Sequence, residues 1–229
     1  MTQELHYNQI PIDFGFFTRK TYDNFVIGSN EKLFDTLSSI NDSDQLVLIY
    51  GSKYSGKTHI CEAAVNHFKN KSIFINAHTD LFKLELSDSY DLLVIDDLDK
   101  LILCKENEET LFSLINNQIL QKKPSIVASS KDISECNINL KDLSSRLLSD
   151  KIFNIIELDD SDKIDMMISF CSQRGLEIEE KALQYIIKNC SRDLYFLCAL
   201  IQNLDTASMS TKRKITIPFI KKVIELRKV

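Results

Sequence analysis

Residues 45–58 read Gln-Leu-Val-Leu-Ile-Tyr-Gly-Ser-Lys-Tyr-Ser-Gly-Lys-Thr, and this stretch decides the fold. The apolar run Leu46–Tyr50 has the length of a buried strand. It stops at Gly51, and Gly51-Ser52-Lys53-Tyr54-Ser55-Gly56-Lys57-Thr58 fits the pattern G-x-x-x-x-G-K-[ST]. From His59 to Phe68 the pattern turns helical. Strand, glycine loop and helix, in that order, form the setting of a phosphate-binding loop. The residue types follow from the chemistry. Gly51 and Gly56 let the backbone fold tightly around an anion. The N–H groups of the loop and of the helix start, through His59, face the phosphates. Lys57 reaches the outer phosphates, and the Thr58 hydroxyl is a ligand for Mg²⁺.

Downstream, Ser72–Asn76 reads as a second short strand with alternating Ile73 and Ile75. Asp91-Leu92-Leu93-Val94-Ile95-Asp96-Asp97 is an apolar strand that ends in two carboxylates. Ligands gather at the C-terminal ends of parallel strands. Asp96 is therefore expected beside the loop, holding the Mg²⁺ water shell. Asp97 either orients an attacking water or starts the next turn. An amphipathic helix is predicted over 106–121, and a strand over Ser125–Ser129. Hydroxyls follow at its end, at Ser129 and Ser130. A helix over 140–148 and a fifth strand over 152–158 complete a parallel sheet with helices on both faces.

From Asp159 the texture changes, and the rest is helical by period. Helices are predicted over 162–174 with Gly175 as the stop, over 179–190 and 193–207, and after Thr216 with Pro218 in the first turn. The expected organisation is an N-terminal arm (1–20), an α/β nucleotide-binding domain (21–159) and a small helical domain (160–229). The arm carries Gln9-Ile10-Pro11-Ile12, an extended apolar peptide. It suits either packing on its own domain or insertion into another protein's pocket.

Composition narrows the class. The net charge of −5 gives no global attraction to nucleic acid. Six scattered cysteines without C-x-x-C spacing suit reduced thiols. No apolar run approaches the roughly 18 residues of a membrane helix, and the N-terminus has no signal pattern, so a cytoplasmic protein is expected.

The motifs together resemble an ATPase of the AAA+ kind, with a P-loop NTPase core and a helical lid. Within that class the chain is similar to the DnaA-related family, and most closely to its Hda branch. Tyr22-Asp23-Asn24-Phe25-Val26 with Gly28 and Asn30 resembles the segment that lies against adenine, which implicates Phe25 and Val26. Leu93–Asp97 is similar to the Walker B strand. Leu143-Ser144-Ser145-Arg146-Leu147 resembles the box that holds an arginine finger, and Ser191-Arg192-Asp193-Leu194 the segment of the sensor II arginine. The run 207–218 is similar to the C-terminus of the Hda branch. Gln9-Ile10-Pro11-Ile12 resembles the motif by which that branch docks in the DNA sliding clamp, the β subunit of DNA polymerase III. The chain departs from the pattern at Leu148-Ser149-Asp150, where relatives carry Trp-Gly.

The resemblance implies bound ADP or ATP with Mg²⁺, the ADP form being the working one. It implies DnaA and the clamp as partners, DNA reached indirectly through the clamp, and self-association as an option. Arg146 would then enter the site of ATP-bound DnaA and drive hydrolysis there, shutting down initiation. Two other classes remain: a self-contained ATPase or helicase loader that uses Asp97, and a non-hydrolysing adaptor.

Overall fold

The structure is a computed structural model describing residues 19–40, 45–68, 71–84, 90–148, 151–211 and 213–225. Gln9, Ile10, Pro11 and Ile12 lie outside the described residues. The strands are β1 (Leu46–Tyr50), β2 (Ser72–Ile75), β3 (Leu92–Ile95), β4 (Ser125–Ser129) and β5 (Ile152–Asn154). They form one parallel sheet in the order β2-β3-β4-β1-β5. Along each inner strand alternate residues enter opposite cores. Leu48, Leu93, Ile95 and Val127 pack with Leu98, Leu111, Ile115, Leu143 and Leu147. These come from α3 (Leu98–Leu101), α4 (Lys105–Leu120) and α5 (Lys141–Leu147). Val47, Ile49, Leu92, Val94 and Ile126 pack with Leu33, Leu37, Ile60 and Ala64. Those partners belong to α1 (Glu31–Ser38) and α2 (Lys57–His67). A strand covered on both faces has no polar side, which is why these strands read as unbroken apolar runs.

The fifth strand is shorter than the sequence predicts. The Ile155 N–H still donates to the Tyr50 carbonyl at 2.8 Å. At Ile156 a side chain takes over from the sheet. The Asn30 Nδ2 donates to the Ile156 carbonyl at 2.9 Å, and the Ile156 N–H donates to Asn30 Oδ1 at 2.7 Å. Leu158 then packs against the helical core rather than the sheet. The turn at α3 also differs from expectation, because the sequence pattern predicts no helix over Leu98–Leu101.

The C-terminal part consists of α6 (Asp160–Gln173), α7 (Glu180–Asn189), α8 (Leu194–Thr211) and α9 (Ile217–Glu225). These helices share a core of Met167, Phe170, Leu183, Ile186, Leu197, Ile201, Leu204 and Ile220. Asp159 caps α6, accepting from the Asp162 N–H at 2.8 Å. Gly175, with φ of 66°, ends α6 in the left-handed conformation. Its N–H reaches the Ser172 carbonyl at 3.0 Å, and that of Leu176 the Cys171 carbonyl at 2.9 Å. Helix α8 runs a turn past the predicted end at Ala207; the hydroxyls of Ser210 and Thr211 bond back to the Ala207 carbonyl. Among the described residues no helix is long and apolar enough to cross a membrane.

One buried carboxylate fixes α5 to α4. Glu108, only 2% exposed, accepts from the Asn139 N–H at 3.1 Å, the Asn139 side-chain amide at 2.9 Å and the Leu140 N–H at 2.6 Å. Burial alone would raise its pKa, but these three donors outweigh it and hold the carboxyl below its ordinary 4.5. A depressed folded pKa contributes stability that is present above the unfolded value and is lost as pH falls through the folded one. Glu108→Gln is therefore expected to lower the melting temperature at pH 7 and to flatten the decline below about pH 4.5. Thermal melts of both proteins between pH 7 and pH 3 check this, and an unchanged acid slope would contradict it.

Candidate functional site

Strand β1 ends where the chain must turn without a side chain. A Cβ at Gly51 would stand 2.4 Å from Ile155 Cγ2 and 3.1 Å from its carbonyl oxygen. The loop closes at Gly56, whose φ of 105° is open to glycine and strained for other residues. Between them the Lys57 side chain folds back under the loop. Its Nζ donates to the carbonyls of Gly51 at 2.8 Å and Ser52 at 2.6 Å, and the residue is only 8% exposed. Burial lowers the Lys57 pKa, opposed by the fields of Asp96, Asp99 and Asp97. The Thr58 hydroxyl donates to Asp96 Oδ2 at 2.6 Å. Burial raises the Asp96 pKa, and that hydrogen bond works against it. The Ser55 hydroxyl is buried in the loop with no hydrogen-bond partner among the described residues. The first amides of α2 have no acceptor within their own helix. A buried cation, an unsatisfied hydroxyl and outward amides form a cradle that fits a phosphate chain.

The neighbouring strand ends supply oxygen. Asp97 begins α3 with a left-handed φ of 57°, but its side chain caps nothing and pairs with Lys100 Nζ at 2.9 Å. Its N–H donates to Asp96 Oδ1 at 2.9 Å. At the end of β4, Ser129 is fully buried and Ser130 partly so. Both are tied to Asp99, a residue the motif reading passes over. Asp99 Oδ1 accepts from the Ser130 N–H at 2.9 Å and the Ser129 hydroxyl at 3.4 Å, while Oδ2 accepts from the Ser130 hydroxyl. Burial would raise the Asp99 pKa, yet these serine donors hold it below the usual carboxylate range. Its only signal in the sequence is a third aspartate two residues beyond Asp97.

The segment ahead of α1 closes one side. The Phe25 ring is what a Cβ on Gly56 would meet, at 3.3 Å. It stands edge-on to His59 at 5.5 Å and stacks on Phe34 at 6.2 Å between centroids. His59 Nε2 lies 2.8 Å from Asn24 Oδ1, and burial pushes the imidazole pKa down to about 4, so the ring is neutral at pH 7. Val26 packs against the core of the C-terminal helices. The Ser52 hydroxyl donates to Glu157. On the helical side, the Tyr54 ring stacks on Tyr195 of α8 at 5.2 Å, and Lys53 Nζ lies 4.7 Å over the Tyr54 ring. Thus Gly51–His59, Asp96, Asp97 and Phe25 come together. Arg192 instead pairs with Asp160 at 3.4 Å, from the loop ahead of α8 to the first residue of α6. Arg146 stands exposed in the last turn of α5 and forms no ion pair among the described residues.

Comparison with known proteins places the chain. Residues 160–224 match the family described as the Hda lid domain. An uncharacterised protein of Haemophilus influenzae is 30% identical over 229 residues, covering 95% of this chain and 99% of the relative. Domain III of the Thermotoga maritima replication initiation protein DnaA superposes with a TM-score of 0.79, at 17% identity, over 94% of this chain and 98% of that one. The AMPPCP-bound DnaA of Aquifex aeolicus superposes with a TM-score of 0.69, at 21% identity, over 83% of this chain and 66% of that one. With a DnaA-like sheet, a phosphate cradle at its strand ends and an Hda-type helical lid, the chain belongs to the Hda-like, DnaA-related AAA+ family.

Proposed function

We propose that this protein binds an adenine nucleotide at the Gly51–Thr58 loop and activates ATP hydrolysis in a DnaA molecule. The observation that carries the second half is Arg146: an exposed guanidinium without an ion-pair partner among the described residues, on a helix fixed by Glu108. An exposed guanidinium on a fixed helix is what a neighbour's phosphoryl transfer needs, because it meets charge that develops in the transition state. That the Aquifex relative is an AMPPCP-bound protein supports an adenine nucleotide here.

On this reading Lys57 and the loop amides hold the phosphates, and Phe25 with Val26 borders the base. Arg192 would exchange Asp160 for phosphate. Thr58 and Asp96 would help to hold the Mg²⁺ that accompanies the nucleotide's phosphates. Among the described residues no group of three or more His, Cys, Asp or Glu side chains forms a metal cage, so Mg²⁺ would arrive with its nucleotide. Gln9, Ile10, Pro11 and Ile12 would dock in the sliding clamp and so keep the protein near DNA.

Two experiments test the reading. Lys57→Ala removes a charged donor, and such a hydrogen bond is worth about 1.5–3 kcal/mol, so ADP affinity is expected to fall roughly 10- to 100-fold. The gain in melting temperature on adding ADP should shrink with it. Unchanged ADP affinity by calorimetry would remove the pocket assignment. For Arg146→Ala, nucleotide binding is expected to persist while stimulation of DnaA falls by about 10³- to 10⁵-fold, and Arg146→Lys should do nearly as badly. The assay is single-turnover loss of labelled ATP from DnaA with clamp-loaded DNA present. Full stimulation by Arg146→Ala would sink the trans mechanism.

A further inference from the structure

We propose that Tyr195 is a positioning residue for the nucleotide site: through its stack on Tyr54 it holds the phosphate loop in shape and slows nucleotide release. The proposal rests on the reading that the loop binds a nucleotide. Tyr54 is the starting point. It sits in the middle of the loop with φ of 66°, in the left-handed region where a side chain is strained. Asn, Asp and Gly tolerate that conformation; a bulky aromatic does so only when its surroundings hold it there. The backbone around it offers little. The Ser55 N–H reaches the Ser52 carbonyl at only 3.3 Å.

Two contacts hold the Tyr54 ring, and one of them comes from outside the loop. The Tyr54 ring lies on Tyr195 with centroids 5.2 Å apart and planes 28° from parallel. Lys53 Nζ sits 4.7 Å over the same ring. Tyr195 is in the first turn of α8, three residues after Arg192, which lies in the loop just ahead of that helix. The contact therefore ties the loop to the lid at the point where the lid carries its candidate phosphate-sensing arginine. Without the stack, only the Lys53 contact and the long Ser55–Ser52 hydrogen bond within the loop oppose the strain at Tyr54, and the loop and lid separate more readily. Opening of that seam is the step that lets a phosphate chain leave.

The test measures release of a fluorescent ADP analogue by stopped flow from the full chain, alongside melting curves without nucleotide. An aromatic pair of this kind corresponds to a roughly three- to tenfold change in an equilibrium or a barrier. Tyr195→Ala is expected to release the analogue about three- to tenfold faster, and Tyr195→Phe to release it at the wild-type rate, because the ring alone makes the stack. Tyr54→Gly separates positioning from stability. It removes both the strain and the ring, so the protein without nucleotide should melt no lower than wild type, yet release should be as fast as in Tyr195→Ala. The double variant should be no faster than either alone. Wild-type release in both Tyr195→Ala and Tyr54→Gly would overturn the proposal and leave the nucleotide reading standing. A wild-type protein that takes up no analogue would overturn both.

Discussion

The Lys57 ammonium is buried under its own loop, with the carbonyl oxygens of Gly51 and Ser52 as its bonded partners. A buried cation is costly unless polar groups surround it. Here the chain supplies two carbonyls and, further off, the fields of Asp96, Asp99 and Asp97. That requirement shapes the neighbourhood. The strand must end at Gly51, since a Cβ there would collide with Ile155, so that the backbone can curl and aim its carbonyls inward. The sheet order must bring the end of β3 within reach of α2, with β4 lying between β3 and β1. The Thr58–Asp96 hydrogen bond spans that gap, and the strand it crosses ends in a small, fully buried Ser129.

Much of this is local, and local features are legible in a sequence. The loop reads directly from its glycines and its Lys-Thr pair, and β1 and β4 appear at the residues the apolar runs mark. What stays hidden depends on distant partners. Glu108 looks like an ordinary acidic residue of a helix start; its burial depends on Asn139 and Leu140, some thirty positions later. Asp99 looks like a solvent-facing turn residue until β4 brings Ser130 against it. The early end of β5 follows from Asn30, 126 positions away, taking over the pairing at Ile156. Nothing in the pattern G-x-x-x-x-G-K-[ST] announces that Tyr54 takes a left-handed backbone. Arg146 is different again. Its exposure is visible in the structure, but its reading as a finger comes from the family likeness and not from spacing.

The two arginines illustrate how a chain keeps one charge in reserve and commits another. Arg192 is partnered by Asp160, though both are substantially exposed, and an exposed pair of this kind is weak and screened by salt. It can be exchanged for a stronger anion at little cost. Arg146 has no such local attachment among the described residues. Its helix is instead anchored at its start by the Glu108 carboxylate.

Asn30 carries a consequence of a different kind. Its carboxamide donates to the carbonyls of Ile27 and Ile156 and accepts from the Ile156 N–H. The group therefore works as donor and acceptor at once, at the junction between the segment ahead of α1 and the stretch leading to α6. Gly28 packs tightly on Asp162 and Leu158 at the same junction. Hydrolysis of that one amide to a carboxylate would leave its size intact and turn two attractive contacts into oxygen facing oxygen. Chemical ageing of a single nitrogen would thus loosen the joint on which the lid is mounted, without removing one atom from any of the three hydrophobic cores.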